Sequence, residues 1–145
     1  MKILVVLWIA LTLSACAVTQ QDEDDSYSAK IGIVNHTNQY IYATHVGDAG
    51  GGHSPRYSAG VANVCCVTLP VKWRSGLRFI VQWDMPEGTT HVWKEREVAV
   101  EEYVKPGSLY LHFFPNDEVR IVVTNWAGGA PGHPIPKPVS PTVQR

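Results

Sequence analysis

The residues with the widest chemical reach in this 145-residue chain are three cysteines and six histidines. Metal binding needs several ligands at set intervals, such as two Cys-x-x-Cys pairs or His-x-x-x-His. Cys65 and Cys66 stand side by side in "VCCVTLP", and His45, His53, His91 and His112 occur at no such interval. No metal site and no cofactor is expected. Covalent catalysis fares no better, because Gly-x-Ser-x-Gly and His-Glu-x-x-His are both missing, and "GGG" at 50–52 lacks the lysine of a phosphate loop. Ser54 with His53 or His45 and Asp48 is a triad in composition only. Its members crowd one glycine-rich loop, without the supporting shell that a working geometry requires. The chain therefore reads as a protein that is not an enzyme. For Cys65 and Cys66, strand neighbours point to opposite faces, and a trans peptide sets Cα atoms ~3.8 Å apart where disulfides usually span at least ~4.4 Å. Two structural thiols behaving as small apolar residues are expected, with a vicinal disulfide as the alternative.

The third cysteine has a different setting. "MKILVVLWIALTLSAC" carries one positive residue, Lys2, then an apolar run from Ile3 to Leu13 that is too short to span a bilayer, which takes about 20 residues. This has the shape of a secretory signal, and Leu13-Ser14-Ala15-Cys16 resembles the bacterial lipobox. The resemblance implies cleavage after residue 15 and acylation of Cys16. Several acyl chains hold a protein firmly on a membrane, where one chain binds marginally. Ala17 in place of aspartate implies the outer membrane, with the protein facing the periplasm.

Loss of residues 1–15 takes Lys2 with it and moves the formal charge from −1 to −2, too weak a field to attract nucleic acid. Residues 16–29, with Asp22, Glu23, Asp24 and Asp25 in a row, read as a flexible acidic tether. Residues 30–126 form one domain, and 127–145, rich in proline and glycine, a tail lying on or leaving it. The elements that must position any functional side chain are strands. Leu77, Phe79, Val81 and Trp83 alternate with Arg78, Ile80, Gln82 and Asp84; Leu109, Leu111 and Phe113, then "PND" at 115–117, then Val119, Ile121 and Val123 read as a hairpin. Further strands are expected over 29–34, 39–46 and 63–69, and a bulged strand over 91–104, with "NHTN" as a turn. About seven short strands predict a single all-β domain, an antiparallel β-sandwich or barrel-like fold.

The order "VNHT", "GGG", "CCVTLP", "KWRSGL", "VQW", "LHFFPNDEVRIVVTN" and "GHPIP" resembles a family of small bacterial envelope lipoproteins of unknown function. The resemblance implies association with type VI secretion and with phospholipase effectors, some relatives being immunity proteins that neutralise such a toxin in the periplasm. The expected partners are then a phospholipase-type effector and, through the lipid anchor, the membrane. The alternative is a structural or ligand-binding envelope lipoprotein in which Trp73, Trp83, Trp93 and Tyr57 line a glycan or peptide site. Trp73 and Trp83 are otherwise expected to serve the core, as are Cys65 and Cys66. For partner binding, the loop Gly47–Gly60 is the longest apolar-poor stretch, and His53, Arg56 and Tyr57 supply donors and an aromatic anchor. Asp117 and Glu118 at the "PND" tip are the second choice.

Overall fold

A computed structural model describes residues 25–141. The signal, Cys16 and the tether as far as residue 24 lie outside the described residues, as do 142–145. Nine strands follow in order: β1 Ser26–Asn35, β2 Ala43–Val46, β3 Ala49–Gly50, β4 Ser58–Ala59, β5 Val64–Pro70, β6 Arg78–Asp84, β7 Trp93–Ala99, β8 Ser108–Phe113 and β9 Val119–Thr124. The fold is all-β and the strands form two sheets. One runs β4-β1-β8-β9, with β5 also on β1; the other runs β3-β2-β6-β7. The count exceeds seven because the two-residue strands β3 and β4 lie inside the Gly47–Gly60 segment.

Three departures from the sequence reading have local causes. β1 and β8 pair in parallel, with Asn35 opposite Phe113, so the sandwich is not purely antiparallel. β7 pairs with β6 in one unbroken register from Trp93 to Ala99, so the expected bulge is not there. Ser26–Ala29, read as tether, belong to β1 and pair with Pro70–Val67 of β5. A register shift does occur opposite Lys30, where Cys65 and Cys66 together face that one residue. These two cysteines form a disulfide, their peptide bond is cis, and their Cα atoms are 3.1 Å apart. The expectation of two free thiols on opposite faces is corrected here, because it assumed a trans peptide.

Between the sheets lies a core with Ile31, Leu69, Val81, Trp83, Leu109 and Phe113 fully or almost fully buried. Trp83 and Phe113 meet with ring centroids 5.5 Å apart. Alternation of apolar and polar residues fits the sheet bearing β6, which has one wet face. β1, β8 and β9 have long buried runs instead, because their outer face is also covered. The cover is the proline-rich segment after β9. Ile135 packs on Val34, Tyr110 and Val122, and Gly128 donates to the carbonyl of Gly60 at 3.1 Å. Gly32 permits this layer, since a Cβ there would stand 2.3 Å from the Tyr110 ring.

Candidate functional site

At the end where β1 and β8 finish, the chain between strands is organised by buried Asn35. Its Nδ2 donates to the carbonyls of Gln39 (2.8 Å) and Pro55 (3.0 Å), and its Oδ1 accepts from Thr37 N (2.9 Å) and Thr37 Oγ1 (2.8 Å). Ile41 and Ser54 then exchange backbone hydrogen bonds of 2.9 Å in both directions. The Gly47–Gly60 segment is thus clamped to the sandwich at its middle. Ser54 is buried by this bridge, whereas His53 tilts against Tyr40 and His45 against Trp93, so the triad-like grouping of Ser54, His53, His45 and Asp48 is not assembled.

A second clamp is the buried carboxylate of Asp84 at the end of β6. It accepts from Val92 N at 2.9 Å and from His91 Nδ1, while its backbone carbonyl accepts from Tyr42 N at 2.9 Å. A buried carboxylate must be satisfied by donors or neutralised, and here the donors fix the turn 85–92, where Gly88 takes φ +62°. His91 is held edge-on to Tyr42 with ring centroids 5.0 Å apart. Tyr42 is 55% and Trp93 52% exposed. Trp93, His45, Gln82 and Glu95 line a shallow depression of about 380 Å³. Three ring pairs, Tyr40 with His53, Tyr42 with His91 and His45 with Trp93, thus lie toward the end of the sandwich where β1 finishes, and their exposed members are taken together as an aromatic rim.

The residues expected to bind a partner are distributed unevenly around this rim. Tyr57 (φ +48°) and Asp117 line one depression of about 310 Å³ with Met85 and Asn116, which brings the two sequence candidates together. Asp117 is engaged by Lys94 at 2.6 Å, a pair that ties the β8–β9 turn to β7. His53 faces a different depression, with Val64 and Gly52, while Arg56 and Glu118 are exposed outside both. Tyr40 and Tyr42 were not singled out in sequence, and His91 was considered only as a metal ligand. The available signal was parity: Tyr40 and Tyr42 flank buried Ile41, so they occupy the outward positions of an alternating segment. The four aromatics of the glycan-site alternative do not converge. Trp83 is in the core, Trp73 donates to Val100 O at 2.9 Å at the opposite end, Trp93 is on the rim, and Tyr57 is in its own depression.

Beside the rim runs a chain of imidazoles. His36 Nε2 is 3.0 Å from His112 Nδ1, His112 Nε2 is 2.9 Å from His133 Nε2, and His133 Nδ1 is 3.1 Å from Trp126 O. A carbonyl only accepts, so His133 carries its hydrogen on Nδ1. With His112 donating from Nε2 to His133, its Nδ1 accepts from His36 Nε2, so the three bonds form one consistent donor–acceptor chain. Burial first, then His133, His36 and Arg120, push the buried His112 down to about 3. Burial also lowers His36, whose ring stacks on Phe114 at 4.2 Å. The two nitrogens of His112 address different rings, so the three residues do not converge on one point, and no three-ligand metal group occurs among the described residues. The chain of rings joins the residue that follows β1, β8 and the segment after β9.

The profile of the family described as "Protein of unknown function (DUF3304)" matches residues 34–121, and the chain belongs to that family. The matched span runs from the end of β1 into β9 and contains both clamps. No curated protein and no solved structure matches.

Proposed function

We propose that this DUF3304 member is a membrane-anchored periplasmic immunity lipoprotein that binds and inhibits a type VI secretion phospholipase effector, and that the aromatic rim is its binding surface. The observation that carries the reading is the rim itself. Solvent-exposed Tyr and Trp, backed by a buried Asn clamp and a buried Asp clamp, combine a large apolar payload with low mobility, which is the character of interface hot spots. An inhibitor requires such a surface and no catalytic groups of its own. The lipobox-like Leu13–Cys16 supports the same reading from sequence, because a lipase that attacks membrane phospholipid is best met by an inhibitor concentrated on that membrane.

The test is protection. Cells producing a type VI phospholipase effector directed to the periplasm should survive when the full-length protein is co-expressed and lyse when it carries Tyr42→Ala with Trp93→Ala at equal abundance. Survival that does not depend on the protein, or failure of the tagged full-length protein to capture the phospholipase from envelope extract, contradicts the reading.

A further inference from the structure

The end of the sandwich opposite the rim gathers a different set of exposed residues. Val104 is 97% exposed and Trp126 is 56% exposed, and both line one concavity of about 700 Å³ together with Tyr103, Lys105 and Pro134. Nothing local requires Val104 to face water. The loop that carries it is fixed on both sides: Tyr103 Oη donates to Pro70 O, Gly107 N donates to Tyr27 Oη at 3.0 Å, and Asn125 Nδ2 donates to Pro106 O at 3.0 Å. An apolar side chain held out on a rigid loop beside an exposed indole is an unpartnered surface, and its position says what it meets. The described chain begins at this same end, where Asp25 O accepts from Val71 N and Ser26 pairs with Pro70.

We infer that Val104 and Trp126, with Lys105 beside them, dock on the phospholipid surface and hold the sandwich upright, so that the aromatic rim points away from the membrane. The inference rests on the anchoring of Cys16 proposed above. Residues 16–24, even fully extended at roughly 3.3 Å each, reach ~30 Å at most, which keeps this end of the domain close to the bilayer. The ten residues of β1, at about 3.3 Å each, set the opposite rim roughly 30 Å further out. An indole suits the headgroup level, with its ring toward the acyl chains and its N–H in the wet layer. Lys105 and the exposed Lys72 favour anionic headgroups, but the exposed Asp25 at the same end, last of the acidic run 22–25 in sequence, opposes them. Apolar insertion, not charge, carries the contact, and salt should therefore alter it little.

Full-length protein, purified from membranes and reconstituted into phosphatidylethanolamine–phosphatidylglycerol vesicles with bromine on the acyl chains, tests this directly. Tryptophan emission should be quenched relative to unbrominated vesicles; Trp126→Phe should abolish the quenching, and Val104→Asp, which retains the indole, should reduce it. Flotation of the same vesicles reads the anchor separately. Protein that floats but is not quenched, or is quenched equally as Trp126→Phe, overturns the docking and leaves the anchor standing. Protein that fails to float overturns both. If Val104→Asp leaves the quenching unchanged, Trp126 is reached by lipid without the docked loop and the inference also falls.

Discussion

Where β1 begins, Tyr27, Tyr103 and Trp73 turn their polar tips into backbone carbonyls of neighbouring loops. Where β1 finishes, Tyr40, Tyr42 and Trp93 stand in solvent, and the loops behind them are held by Asn35 and Asp84. Burial pushes the Tyr27 and Tyr103 phenols up, so they remain protonated donors. Tyr27, Tyr103 and Trp73 thus close the fold at one end, where Trp126 stays exposed, whereas Tyr40, Tyr42 and Trp93 are spared for contact at the other. The substitution of buried Asn and Asp for aromatic anchors is what frees the rim, and perturbing each end separates stability from binding.

Among substitutions at neutral pH, the largest effect on stability is expected from Asn35→Ala. It leaves the carbonyls of Gln39 and Pro55 and the Thr37 N–H without their buried partner, at a cost of about 3 kcal/mol. A chemical denaturation series should show that loss, and hydrogen exchange should quicken first over 36–58. Retained protection there would break the idea that one side chain organises the rim.

Acid should act next, through His112. In the folded state this imidazole stays neutral to about 3, whereas in the unfolded chain it titrates near its ordinary 6.5. Between those values the unfolded state binds the extra proton. Stability is therefore full above pH 6.5, falls by up to roughly 1.4 kcal/mol per pH unit below it, and levels off beneath pH 3. Denaturation midpoints at pH 7.5 and 5 should differ accordingly, and His112→Leu should flatten the dependence. At the opposite end, Tyr103→Phe removes the hydroxyl that bonds Pro70 O and should cost about 1 kcal/mol in the same denaturation assay, with no change in binding.

Much of the frame was legible before the structure. Alternation placed β6, β8 and β9, because period two survives wherever one sheet face is wet or the pairing is a simple hairpin. The parallel pairing of β1 with β8 was not legible, since parity is the same for either direction. Whether residues 127–135 lie on the domain or leave it stayed open in sequence because Pro and Gly suppress any period; buried Gly128, His133 and Ile135 mark the docking. The Cys65–Cys66 disulfide was placed second to free thiols through the assumption of a trans peptide. At the site, Tyr57 and Asp117 were found as isolated loop residues, and their shared depression is a product of tertiary packing. His91 could not be linked to Asp84 from sequence, because a turn of this length permits the contact without requiring it.

The central claim is that the rim binds and the far end does not. Isothermal titration of the captured phospholipase into the purified protein tests it most directly, comparing Tyr42→Ala with Trp93→Ala against Val104→Ser with Trp126→Ala. Both double variants lie on the surface and should change stability by no more than about 1 kcal/mol. The account predicts that the rim variant weakens binding at least ~30-fold, the scale of a lost hot spot of about 2 kcal/mol, and that the far-end variant changes it less than about threefold. Unaltered affinity in the rim variant, or a loss confined to the far-end variant, would contradict it.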